Sequence, residues 1–252
     1  MTPSTPGIWF QTGFLTAALL FSAGIFNSAS AGNDIEIPLS FPQDDFRNLS
    51  REVGLMISFS QAAPAEPLGL TGFDAGIEVS VAKIEADKSF WVDVVGKEPP
   101  EYWALPKLHF QKGLPFGFDV GAVYGKAPGS NIGLVGGELK YAILKGNAVM
   151  PALAIRGHYT ALLGVDDLDM GVYGGDLSIS KGLGFLTPYA GIGQVWIESE
   201  EKSGLNPTLG KESLSETKGF LGFKLSLFLV SFVAEADFSS TPSYTARLNL
   251  SF

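Results

Sequence analysis

Large apolar residues alternate one for one with small or polar residues along most of this chain. From Phe116, "FGFDVGAVYGK" puts Phe116, Phe118, Val120, Ala122 and Tyr124 on one face, with Gly117, Asp119, Gly121, Val123 and Gly125 on the other. From Val149, "VMPALAIRGHYTALL" sets Val149, Leu153, Ile155, Tyr159 and Leu163 against Ala152, Ala154, Arg156, His158 and Thr160. Leu221, Phe223, Leu225, Leu227 and Leu229 stand opposite Gly222, Lys224 and Ser226, and Phe232, Ala234, Ala236 and Phe238 opposite Val233, Glu235 and Asp237. A period of two over long segments predicts strands.

Length then separates a soluble sandwich from a membrane barrel. Strands of soluble sheets usually run about five or six residues, whereas a strand crossing a bilayer needs about 9–11. Val135–Leu144, Val149–Leu163 and Thr217–Leu229 fit the longer class. Backbone in lipid must pair completely, so such strands predict a closed antiparallel up-and-down barrel. The breaks alternate in length as that fold requires. Short turns are expected at Ala62–Gly69, Lys112–Pro115, Lys145–Ala148, Gly182–Phe185 and Leu229–Ser231. The other rim takes Glu85–Tyr102, Ala127–Asn131, Gly164–Leu168, Ser199–Glu216 and the loop around Ser240–Pro242.

The predicted strands lie near 53–60, 70–83, 104–111, 116–126, 132–144, 149–163, 169–181, 186–198, 217–229, 231–239 and 243–252. That count is odd, and single-chain bacterial barrels are even. "IEIPLSF", Ile35–Phe41, alternates cleanly and would complete a twelve-strand wall. The alternative removes Val53–Ser60 and leaves ten strands, with Gly32–Gly69 as a plug or strap. Phe46, Leu49 and Val53 stand at helical spacing, which favours a plug. The expectation adopted is twelve.

Composition agrees with the barrel. Of 252 residues, 46% are hydrophobic and 17% charged, against about 25% charged in ordinary soluble domains. Cysteine is absent, which excludes disulfides and Cys-ligated metal. A net charge of −9 argues against nucleic acid as a partner. Ile8–Phe26 is an apolar run ending before Ala29-Ser30-Ala31, the pattern of a cleaved export signal over residues 1–31 with a mature start at Gly32. It departs from the pattern in having no Lys or Arg ahead of the run. Residues 32–252 would form the barrel.

The last residues, "SYTARLNLSF", place Tyr244, Ala246, Leu248, Leu250 and Phe252 on one face. With the alternation, they make the chain resemble Gram-negative outer-membrane β-barrel proteins. In that family a terminal Phe preceded by alternating apolar residues is read by the barrel-assembly machinery. The resemblance implies that Tyr244, Leu248, Leu250 and Phe252 serve here as that signal. It also implies the outer membrane as the location, and lipid and lipopolysaccharide as surroundings. It does not name an activity.

The strand phase predicts which charges face the lumen: Glu78, Asp119, Glu138, Lys140, Arg156, Asp176, Lys224, Glu235, Asp237 and Arg247, with His158 beside them. Opposed acidic and basic walls suit a small channel for polar or amphiphilic solutes. The same charges could instead bridge one another and stiffen a barrel that conducts little, acting through Glu85–Tyr102 and Ser199–Glu216. A third class, a lipid-modifying or proteolytic enzyme, would rest on His158, Thr160, Asp166 and Asp167. Phe110, Phe116, Tyr124, Phe185, Tyr189, Phe232, Phe238, Tyr244 and Phe252 are expected in interfacial girdles. No metal cluster or cofactor motif occurs, and a monomer is expected.

Overall fold

The computed structural model describes residues 35–95, 99–204 and 206–252. The expected export signal and Gly32 lie outside them. Ten strands close into one antiparallel barrel: β1 (Phe73–Lys83), β2 (Tyr102–Gly113), β3 (Phe118–Lys126), β4 (Gly133–Lys145), β5 (Ala152–Leu163), β6 (Leu168–Ser180), β7 (Leu186–Glu201), β8 (Glu212–Leu227), β9 (Val230–Phe238) and β10 (Ser243–Ser251). Each strand pairs with its neighbours in sequence. β1 closes on β10 from Asp74↔Ser251 to Ala82↔Ser243. Closure leaves no edge strand, so the ladder satisfies the wall's backbone internally.

The four connections at the rim that holds Phe252, called here the terminal rim, have two to six residues. The opposite, loop rim has three connections of four to six residues and two longer ones, 84–101 and 202–211. One of them carries a short helix, α2 (Ser89–Val95). The expected loop at Ser199–Glu216 is shorter than predicted, because β7 runs to Glu201 and β8 starts at Glu212. The outward face is largely apolar, with Leu108, Leu139, Ile155, Leu177, Ile192, Leu221 and Leu248 exposed; toward the loop rim of β7 and β8 it carries Gln194, Ser215 and Thr217, which bond one another.

The wall has ten strands and not twelve. Ile35–Phe41 pairs with no strand. Pro38 supplies no N–H to a ladder, and the segment lies across the loop rim. There Ile37 donates its N–H to Asp167 Oδ2 at 3.2 Å, and Asn206 donates to the carbonyls of Pro38 and Phe41. Val53–Ser60 is likewise outside the wall. Residues 43–57 form α1 (Gln43–Ile57) inside the lumen. Its first turn carries Asp44 and Asp45, which suit the positive end of the helix dipole. Phe46, Leu49, Val53 and Ile57 are buried on one stripe at helical spacing. Fully burying each such side chain contributes about 1.5–3 kcal/mol. At Gly54 the helix comes so close to β7 that an added Cβ would lie 2.6 Å from Ile197.

After α1 the chain runs down the lumen without regular structure and enters β1 at the terminal rim. The N-terminal segment therefore threads the barrel from one rim to the other. Ala62–Gly69, expected as a turn between strands, is the lower part of this strap.

Candidate functional site: the strapped lumen

The lumen has two halves. Near the loop rim the inward positions are apolar: Leu134, Leu162, Met170, Val172, Val195 and Ile197 meet α1, and Trp91 of α2 covers them. Two charged groups of α1 find partners on β8, with Arg47 3.0 Å from Glu212 and Arg51 2.9 Å from Glu216. Glu52 accepts from Trp91 Nε1 at 2.8 Å and from the Glu85 N–H at 3.1 Å, just beyond the end of β1. Burial pushes the Glu52 carboxyl above its ordinary value, and these two donors offset only part of that rise.

Toward the terminal rim the inward positions are charged. Arg156 is the hub. Its Nε donates to Asp176 at 2.8 Å and its Nη1 to Glu138 at 2.9 Å, and Nη2 is also paired to Asp176. The same guanidinium reaches the carbonyls of Ser60 and Phe59 at 3.2 and 3.4 Å and lies 5.4 Å from the centre of the Phe59 ring. Glu78 pairs with Lys107 at 2.8 Å. His109 Nδ1 stands 2.7 Å from both Glu78 and Arg247. A ring nitrogen can donate to the carboxylate or accept from the guanidinium, not both at once. Gln111 links to Glu138 and accepts from Arg247 at 3.2 Å.

A second set of inward groups grips the strap's backbone, as Arg156 does. Glu235 accepts the Ala62 N–H at 2.9 Å, Asp119 accepts the Leu68 N–H at 3.1 Å, and Ser180 accepts the Ala65 N–H at 3.1 Å. Lys140, 3.0 Å from Asp119, donates to the carbonyls of Pro64 and Glu66. Lys218 donates to the Phe59 carbonyl at 3.1 Å and stands 3.7 Å from Asp237. Lys224 pairs with Asp74 at 2.8 Å, near the terminal rim. An unpaired buried backbone group is costly, and here the wall supplies the partners that a strand neighbour would otherwise give. The remaining voids include one of about 30 Å³ beneath Trp91 and Trp103 and one of about 10 Å³ beside Lys218.

The lumen charges expected from the sequence point inward: Glu78, Asp119, Glu138, Lys140, Arg156, Asp176, Glu235, Asp237 and Arg247 are buried, with His158 among them, and the partly buried Lys224 pairs with Asp74. They do not line an open bore. Asp119, Lys140, Arg156 and Glu235 bond residues 58–68, and the others pair across the wall. His158 is buried with its Nε2 3.5 Å from Asp176, and Asp167 is engaged by Ile37 at the rim. Those groups are not assembled into an open hydrolytic site. Lys107, His109, Gln111, Lys218 and Asp74 were not singled out as site residues. Continuing the phase of Leu108 and Phe110, or of Lys224, would have found most of them.

One girdle expectation is corrected. Tyr189 faces the lumen and is buried, because β7 has the phase that turns Val195 and Ile197 onto α1. Its ring lies over Gly222, where an added Cβ would come within 2.6 Å. The other expected girdle residues are exposed on the outer face or at the rim turns. Phe252 stacks on Phe73 at 4.8 Å, and the two exchange backbone hydrogen bonds of 2.9 and 3.0 Å at the β1–β10 seam.

No protein-family model and no curated protein matches this sequence. Among solved structures the chain is similar to the KdgM porin, with 11% identity over 71% of this chain and 99% of that one, at TM-score 0.36. It is also similar to LpxR from Salmonella typhimurium (9% identity, 69% and 99% covered, TM-score 0.37). A third is the outer membrane protein OprG from Pseudomonas aeruginosa (11%, 75% and 93%, TM-score 0.33). At TM-scores below 0.5, it is the chain's own closed strand ladder that establishes the barrel.

Proposed function

We propose that this chain is an outer-membrane barrel held shut by its own N-terminal segment, acting as a wall or surface-interaction protein through its loop rim. The observation that carries this reading is the strap. Residues 43–68 occupy the lumen, and the wall's charged side chains bond its backbone. The apolar outer face, the even strand number and the short turns at one rim support the membrane setting. The Phe252–Phe73 stack at the seam supports an assembly role for the terminal stripe, with the terminal rim on the periplasmic side. Lipopolysaccharide is then the partner met by the loop half.

Planar-bilayer recording of the refolded protein tests this. The intact chain should insert and stay silent, whereas deletion of residues 43–66 should give conductance steps. Ion-conducting steps from the intact protein would overturn the closed-barrel reading.

A channel for polar solutes keeps one supporting observation, the two-signed charge of the terminal half, which withdrawal of the strap would uncover. In the strap-deleted protein, Arg156→Ala and Glu235→Ala would then shift ion selectivity in opposite directions.

A further inference from the structure

The turns of the terminal rim break two rules of turn chemistry together. Solvent turns favour Gly, Asn and Asp, and Gly117, Gly146, Gly184 and Asn147 fill such positions here, yet the turns are tipped by Phe116, Val149, Leu183, Phe185 and Phe228. Phe116, Val149 and Phe228 are 85%, 86% and 96% exposed. Phe116 and Phe228 also have φ of 66° and 58°, a region that bulky residues avoid at a cost of about 1–3 kcal/mol. Phe228 opens the two-residue β8–β9 turn, a position that ordinarily selects Asn or Gly. Such tips are unfavourable in water.

The charge of this rim is also unusual. Lys112, Lys145 and Lys181 form no ion pair among the described residues. Lys112 and Lys181 donate only to carbonyls of adjoining segments, and so keep their net charge. The acids nearby are turned in: Asp74 and Asp119 are buried and paired, and the partly buried Glu66 accepts the Gly182 N–H. At the loop rim Lys83, Lys202 and Lys211 pair with Glu101, Asp169 and Glu200 at 3.0, 2.9 and 2.7 Å, while Lys126 forms no ion pair among the described residues. A protein of net charge −9 thus presents one rim with uncompensated positive charge.

We propose that the terminal rim is seated in the headgroup layer of a phospholipid leaflet and selects anionic phospholipid. The apolar tips continue the lipid-facing surface past the strand ends, and the three lysines sit where headgroup phosphates would be. Each lysine held at an anionic surface is attracted to it, and salt screens that attraction.

The proposal rests on the membrane reading of the barrel, and the test separates the two. The chain has no cysteine, so Val149→Cys and Leu183→Cys can each carry one polarity-sensitive fluorophore, with Leu248→Cys as a belt control. The full-length protein is refolded into phosphatidylcholine vesicles containing about a third phosphatidylglycerol. The rim labels should emit as in an apolar interface and be quenched by headgroup spin labels. Spin-labelled phosphatidylglycerol should quench them about two- to five-fold more than spin-labelled phosphatidylcholine. That preference should disappear in 0.5 M salt and in Lys112→Gln/Lys145→Gln/Lys181→Gln. Water-like rim emission with a quenched belt label would overturn the proposal while leaving the membrane barrel intact, and would mark the rim as a protein-docking face. Equal quenching by the two lipids would overturn the anionic selection. A water-like belt label would overturn the membrane reading itself.

Discussion

The two halves of the lumen hold the same segment by different physics. Near the loop rim, α1 is fixed by apolar side chains in contact with Leu134, Val172, Val195 and Ile197. That attraction is large but non-directional. Near the terminal rim, the strap's buried apolar side chains are small, Ala62, Ala63 and Ala65, and its backbone is held by Arg156, Lys140, Lys218, Glu235 and Asp119. These bonds are directional, so they set the path and register of a segment with no regular structure. The first half supplies most of the favourable burial, and the second specifies where the chain runs.

Removing the hub should separate the halves most sharply. Arg156→Met leaves Glu138 and Asp176 buried without their main partner. It should cost about 3–5 kcal/mol, read as a lower denaturation midpoint of the refolded barrel. A loss below about 1 kcal/mol would mean that the polar half is not held as described. Leu49→Ala, at a fully buried position in the other half, should cost about 2–5 kcal/mol. Its signature should be local: faster amide exchange along residues 43–57, with the strand amides unchanged. Equal exchange everywhere would show that the plug and wall unfold as one unit.

Gly54→Ala should cost about 1–3 kcal/mol through overpacking against Ile197, partly offset by better helix propensity. Adding Ile197→Val should recover much of the loss, and strict additivity of the two changes would count against the contact. The smallest effect is expected at Glu52. Burial raises its folded pKa above the unfolded value. Its protonated form therefore favours the docked helix. That contribution is complete below the ordinary glutamate range and lost as pH rises through the raised value. Thermal stability should fall slightly over that window in the wild type and stay flat in Glu52→Gln; the same slope in both would exclude Glu52 as the source.

The wall was legible because it repeats locally. Each strand shows its own period of two, and the inward charges follow from that phase alone. The strap was legible only in part: Phe46, Leu49 and Val53 at helical spacing mark the plug helix of the ten-strand alternative, but the partners that fix the path below it are remote. Ala62 and Glu235, or Lys140 and Pro64, meet across the lumen and leave no periodic trace. Ile35, Ile37 and Phe41 alternate like a strand because they bury alternate side chains under the loop rim, which gives the same signal as a wall position. Tyr189 was misplaced because aromatic identity was read as girdle when its strand phase pointed inward.

The joint between strap and wall lies at Phe73, on the terminal rim, whereas α1 docks at the other end. That attachment makes the closure one-way. Movement of α1 out through the loop mouth still leaves residues 58–72 lying along the bore, tethered below. The lumen can be emptied only by drawing the whole segment back toward the rim where it is anchored.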